Sequence, residues 1–157
     1  MQFVFDDFLV NNKPDKVLLA ASWKDEDLPI LSATLDILKQ RKLDVVVLGP
    51  IVEYDGALPR LLTEEILHNN PIIARTMRTP GIRERDRAMR RIVTGSGATY
   101  VSVYDSVCPG GLCDEFANGD IPLQFDGGHL TAEGSVKIAQ RLSMSFRQTV
   151  GSNHVSN

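Results

Sequence analysis

Three short apolar runs punctuate the chain. Val17-Leu18-Leu19-Ala20-Ala21 follows Pro14-Asp15, and Val45-Val46-Val47-Leu48 follows Asp44 and stops at Gly49-Pro50. Tyr100-Val101-Ser102-Val103-Tyr104 follows Gly97-Ala98-Thr99. The first two runs lack polar alternation, which predicts strands covered on both faces in a parallel sheet. Helical spacing fills the intervals. Leu31, Leu35 and Leu38 repeat at that spacing and end at Arg41-Lys42, and Leu58 to His68 is a further helical stretch. Ile82 to Val93 is charged on one side and carries Met89, Ile92 and Val93 on the other, with Gly95 and Gly97 as C-cap positions. Thr131 suits the N-cap of a last helix whose apolar stripe is Val136, Ala139, Leu142 and Phe146. The tail from Gly151 to Asn157 is expected to fray. This alternation predicts an α/β fold, three layers α/β/α around a parallel sheet. Reactive groups gather at the C-terminal ends of such strands, here Ser22-Trp23, Gly49-Pro50 and Asp105-Ser106.

Composition narrows the function without naming it. The 157 residues suffice for one domain, taken as residues 1–150, and show no repeat or low-complexity linker. A formal net charge of −3 offers no basic surplus for nucleic acid. The one basic cluster, Arg83 to Arg91, also holds Glu84 and Asp86 and reads as a solvated helix face. No apolar stretch approaches the roughly 18 residues of a membrane span. Met1 to Val10 contains Asp6 and Asp7 and does not read as a signal peptide, so the chain is expected to have no export route of its own. No residues have metal-ligand spacing and no Gly-rich phosphate loop precedes a helix, so neither a metal nor a cofactor is expected. Cys108 and Cys113 flank Pro109-Gly110-Gly111-Leu112. They either close this turn as a disulfide, which implies an oxidising compartment, or remain two free thiols.

The strongest local signal is Phe125-Asp126-Gly127-Gly128-His129-Leu130-Thr131-Ala132-Glu133-Gly134. It places an acid and an imidazole in a Gly-containing loop ahead of a helix. Asp126 can bend back to His129 Nδ1, fixing the tautomer and leaving Nε2 to take a proton from a hydroxyl. Capping and turn chemistry also explain these residue types at this spacing.

The wider pattern Asp126-x-x-His129-Leu130-Thr131-x-x-Gly134 resembles the last motif block of SGNH hydrolases, in which one short segment supplies both acid and base of a triad. Val17 to Trp23 resembles that family's third strand, preceded by what resembles the helix before it. Val45 to Tyr54, with Pro59 soon after, resembles the next strand and loop. Tyr100 to Cys113 is similar to the stretch before the Asp-His block in one subgroup, the SGNH domains fused to membrane acyltransferase-3 proteins. Those proteins O-acylate bacterial surface polysaccharides, and their SGNH domain faces the periplasm. The resemblance covers most of residues 15 to 145. It implies an SGNH/flavodoxin-like fold, acyl transfer or ester hydrolysis, catalytic roles for Asp126 and His129, and an acyl donor and a sugar hydroxyl as partners.

Departures from the pattern matter as much. No Gly-Asp-Ser occurs anywhere in the chain, although the family's nucleophile lies in that block. Ala20-Ala21-Ser22-Trp23 also lacks the family's Asn, and Ser22 departs from the Ala-Arg-Trp-like residues of the subgroup. The expectation is therefore a domain incomplete at its N-terminal side, inactive alone, whose serine lies in a missing segment or in the larger membrane protein. The alternatives are a degenerate, non-catalytic interaction module, or a substitute nucleophile at Ser22 or Ser106. In the family's strand order, removing the first strands leaves Val17–Ala21 as an open edge, so instability or homodimerisation through that edge is expected. Trp23, Glu53 and Tyr54 are expected at the strand-end rim, as substrate contacts or as packing. His68 reads as a helix-end residue and His154 as part of an inert tail.

Overall fold

The structure is a computed structural model, and it describes residues 7–12 and 14–151, with side chains through residue 143. In chain order its elements are α1 (Leu9–Asn11), β1 (Lys16–Leu19), α2 (Leu28–Gln40), β2 (Asp44–Leu48), α3 (Leu58–Leu67), α4 (Ile73–Thr76), α5 (Ile82–Ser96), β3 (Thr99–Val101), α6 (Val103–Val107), β4 (Phe116–Asn118), β5 (Ile121–Pro122) and α7 (Ala132–Gly151). β1, β2 and β3 form a parallel sheet in that order, with Val17 opposite Val45 and Leu48 opposite Val101. The side chains of β2 alternate between two cores. Val45 and Val47 pack with Leu31, Leu35 and Leu38 of α2 and with Met89 and Val93 of α5. Leu48 packs on the other side, against a core built from α3, α6, α7 and the hairpin segment, including Leu58, Val107, Leu123 and Ile138. Burial of β2 on both faces is why its sequence shows no alternation, and the result is the expected α/β/α layering.

Element boundaries follow local chemistry. Pro29 lies in the first turn of α2, where its missing N–H costs nothing. Lys42, at φ 58°, turns the chain out of that helix into β2. Gly97, at φ 90°, caps α5. Thr131 starts α7 as anticipated, its hydroxyl accepting the Gly134 N–H at 3.0 Å. The third strand is shorter than the apolar run suggests. The Ser102 hydroxyl accepts the Asp105 N–H at 2.9 Å and starts α6, so Val103 and Tyr104 are helical rather than extended. The expected helix ahead of the first strand is represented by the single turn α1, and Met1 to Asp6 lie outside the described residues. α7 continues through Gly151, while residues 152–157, including His154, also lie outside them.

Two features bear on the site. β1 is an open edge among the described strands, and Leu18 on it is 58% exposed. α5 keeps Arg83, Glu84, Arg87, Arg90 and Arg91 exposed, as its charges suggest, but Asp86 and Arg85 turn inward. Asp86 is 2% exposed, and Arg85 and Arg90 both reach partners on other segments.

Candidate active site

Asp126 and His129 meet within one tight loop. His129 Nδ1 donates to Asp126 Oδ2 at 2.7 Å, while Asp126 Oδ1 accepts the backbone N–H groups of Gly128 (2.8 Å) and His129 (2.7 Å). These hydrogen bonds hold the Asp126 carboxyl down to about pKa 2, the two backbone donors contributing most and the imidazole next. With Nδ1 committed to Asp126, the neutral ring leaves Nε2 as its acceptor. The imidazole is 77% exposed, so Nε2 is open to a reactant. Phe125 stacks on the ring, with centroids 5.7 Å apart and planes at 18°.

Each residue of the motif has a local reason. Phe125 N–H donates to His129 O at 3.0 Å, closing the loop on itself. Gly127 lies against the 54–58 segment, where Tyr54 N–H donates to Gly127 O at 2.7 Å and Leu58 N–H donates to Asp126 O at 3.2 Å. A Cβ on Gly127 would sit 2.6 Å from Tyr54 O, so a side chain is excluded there. Thr131 donates to Pro122 O at 2.9 Å while capping α7. Gly134 lets the first turn of α7 approach the chain at Leu123, whose carbonyl oxygen would lie 2.2 Å from an added Cβ. Leu130 packs against the core behind the loop. The spacing is thus the imprint of a loop that must turn, seat and cap within nine residues.

His129 opens onto a cleft of about 460 Å³ lined by Ala21, Ser22, Trp23, Pro50, Ile51, Glu53, Tyr54, Gly127 and Gly128. Apart from Gly127 and Gly128 of the loop itself, these residues come from the chain beyond β1 and beyond β2, where a parallel sheet places its reactive groups. Trp23 is fixed at both ends. Its indole N–H donates to Leu48 O at 2.7 Å, and its carbonyl accepts Arg85 Nη1 at 3.0 Å. Arg85 is itself held by Asp25, at 2.8 Å from Nε and 3.3 Å from Nη2. Sequence reasoning missed this clamp, because Arg85 and Asp25 lie 60 positions apart and nothing local pairs them. Ser22 lines the cleft, whereas Ser106 sits inside α6 and donates to Ser102 O at 3.0 Å, away from it. Tyr54 lines the cleft but is 5% exposed, so it is largely a packing residue. Its hydroxyl faces Arg78, and burial raises its pKa. His68 caps α3 and pairs with Glu64 at 3.1 Å, outside the cleft.

A buried polar network adjoins the end of β2 at Gly49. The Asp86 carboxyl group accepts the Tyr100 hydroxyl at 2.8 Å and the Ser102 hydroxyl at 2.7 Å. Arg90 lies 3.6 Å from Asp86, 2.6 Å from Asp105 and over the Tyr100 ring. Burial, then the hydrogen bond to Asp86, raises the Tyr100 pKa. Gly49 adjoins this network so closely that a Cβ there would fall 2.0 Å from the Tyr100 hydroxyl oxygen. The network thus packs against the residue that follows β2 and precedes Pro50 and Ile51 of the cleft wall. Further from the cleft, Cys108 and Cys113 are joined as a disulfide, and Asp114 beside it pairs with Lys137 at 3.1 Å and with Arg141 at 2.6 Å on α7.

Comparison with known proteins bears on this arrangement. The family described as "SGNH domain (fused to AT3 domains)" matches residues 2–143. No curated protein matches the chain. Among solved structures, the chain is similar to the lipopolysaccharide acetyltransferase periplasmic domain of Salmonella ser. Paratyphi A, with a TM-score of 0.73 and 21% identity. The similarity covers 88% of this chain and 59% of that one, so this chain spans little more than half of its structural neighbour. At that identity the likeness speaks for the fold.

Proposed function

Since the chain belongs to the family of SGNH domains fused to AT3 domains, we propose that it supplies the acid–base half of an O-acyltransferase or ester hydrolase acting on O-acyl groups of surface polysaccharide. The observation that carries this reading is the 2.7 Å Nδ1–Oδ2 hydrogen bond, formed beside an open cleft with Nε2 unencumbered. A serine hydroxyl attacks the acyl carbonyl and gives its proton to His129 Nε2. The tetrahedral intermediate collapses, and the departing oxygen takes that proton back. The acyl-serine then yields to an acceptor hydroxyl deprotonated by the same nitrogen. Asp126 orients the ring and stabilises the imidazolium. A sugar hydroxyl as acceptor gives transfer, and water gives hydrolysis.

The serine in this scheme comes from beyond the chain. Three observations support that: no Gly-Asp-Ser in the sequence, an open β1 edge with Leu18 uncovered, and a structural neighbour of which this chain spans 59%. A preceding segment that adds a strand at β1 would satisfy the edge and bring the nucleophile to the cleft. A periplasmic setting is part of the proposal. It agrees with the Cys108–Cys113 disulfide and with the periplasmic origin of the neighbour. No described helix is long and apolar enough to cross a membrane. The open edge also favours a second reading, a non-catalytic module that pairs through β1 with a partner or a second copy.

The test compares this chain with a longer protein that includes the preceding segment, using p-nitrophenyl acetate. The longer protein should hydrolyse the ester and lose about 10³-fold or more in His129→Ala and Asp126→Asn, as triads do. This chain alone should not exceed its own His129→Ala variant. Activity in this chain that depends on His129 would place the nucleophile within it, Ser22 first, and end the reading that it comes from outside. An inactive longer protein would leave the interaction module as the better account.

A further inference from the structure

We infer that Trp23 and Glu53 form the acceptor subsite of the cleft, with Trp23 as a stacking platform for a pyranose ring and Glu53 as the hydrogen-bond acceptor for its hydroxyls. This rests on the acyl-transfer reading and goes beyond it by assigning the acceptor to particular side chains.

The first argument is shape. A cleft of about 460 Å³ lies within the range that encloses a whole small-molecule ligand rather than a two-carbon acyl group alone. The second is the chemistry of its lining. Trp23, Pro50 and Ile51 supply apolar surface, while Ser22, Glu53 and His129 supply polar groups around it. A sugar ring has the matching character, with a face of C–H groups and a rim of hydroxyls. Its polarised C–H groups are attracted to the negative face of an aromatic ring, and a carboxyl oxygen accepts the rim hydroxyls.

The third argument is rigidity. The clamps from Leu48 O and from Arg85, itself held by Asp25, leave Trp23 little freedom to lose on binding. Glu53 is anchored through its backbone, its carbonyl accepting Thr79 N–H at 2.8 Å. Helix α5 thus acts on the cleft from behind: Arg85 is a positioning residue for the platform and does not itself line the cleft. A saccharide seated here lies beside His129, where its hydroxyl is within the domain of the base that must deprotonate it.

Trp23 is the only tryptophan in the chain, so its emission reports on this subsite alone. The experiment is a fluorescence titration of the 157-residue chain with O-polysaccharide released from smooth lipopolysaccharide by mild acid. The expected result is a saturable change in Trp23 emission, with the apparent Kd raised about tenfold or more in Glu53→Ala, which removes the acceptor and with it a hydrogen bond to a charged group. Emission that stays constant throughout the titration overturns the subsite, and equal binding by Glu53→Ala overturns the role of Glu53. The outcome is independent of the esterase test. Saccharide binding without His129-dependent acyl chemistry in the longer protein would sink the enzyme reading and keep a sugar site. Acyl chemistry in the longer protein without saccharide binding would do the reverse.

Discussion

Replacing Asp86 by Ala tests whether the buried network beside Gly49 holds the fold as its geometry implies. The side chain is 2% exposed and accepts two hydroxyls, from Ser102 at 2.7 Å and Tyr100 at 2.8 Å. Its loss leaves both O–H donors without that acceptor. Ser102 is buried and keeps the Asp105 N–H, but its unpaired O–H costs about 1–3 kcal/mol, and half-buried Tyr100 adds about 1 kcal/mol. Arg90 keeps its 2.6 Å partner Asp105 and adds little. The expected loss is therefore about 2–4 kcal/mol, a fall in Tm of about 4–16 °C for a chain of this length. Urea denaturation followed by circular dichroism measures it. Tyr100→Phe removes one stranded group in advance, so the two substitutions together should cost about 1 kcal/mol less than the sum of the two singly. Strict additivity, or an Asp86→Ala variant within about 0.5 kcal/mol of the parent, would refute the reasoning, because a solvated carboxyl group on a helix face behaves in that way.

Gly127→Ala should lower stability by about 1–3 kcal/mol, since its Cβ would meet Tyr54 O at 2.6 Å and nothing in a backbone carbonyl can fold away. Faster hydrogen exchange at the Tyr54 amide, now paired with Gly127 O, would show that the loop has lifted. The Asp126 interaction should carry a defined pH signature. Its folded pKa, about 2, lies below the reference value of 3.8, so the contribution is fully present above 3.8 and is lost as pH falls toward 2. The stability difference between the parent and Asp126→Asn should accordingly be constant at neutral pH and close over that acid window. A difference that closes well above pH 3.8 would assign it to another group.

The parallel sheet was legible because β2 is buried on both faces, and Val45 to Leu48 advertise that by lacking any polar position. The Asp126–His129 pair was legible for a different reason. Its partners lie three residues apart, and the Gly, Thr and Gly that shape the loop sit in the same segment. Ser102 hid the end of β3, since a short hydroxyl inside an apolar run reads as strand until its capping bond is seen. The β4–β5 hairpin has a turn at Gly119, at φ 54°, but its strands are two and three residues long and too short for a periodic signal. The Arg83–Arg91 cluster was legible in part. Arg83, Glu84, Arg87, Arg90 and Arg91 are exposed, as a solvated face is, whereas Asp86 is buried, Arg85 reaches Trp23 and Asp25, and Arg90 reaches Asp105. Only the folded topology brings those partners together.

The Asp126–His129 loop closes through contacts that span at most four residues. Loops this short meet in well under a microsecond, long before a sheet is assembled from distant strands. In the proposed acyl-transfer reading, the acid and base therefore find each other early and independently, while bringing a nucleophile to them is a late event that depends on the β1 edge. In that reading assembly order becomes a safeguard: a half-made protein displays a poised imidazole, yet without a serine delivered to it no ester is cleaved.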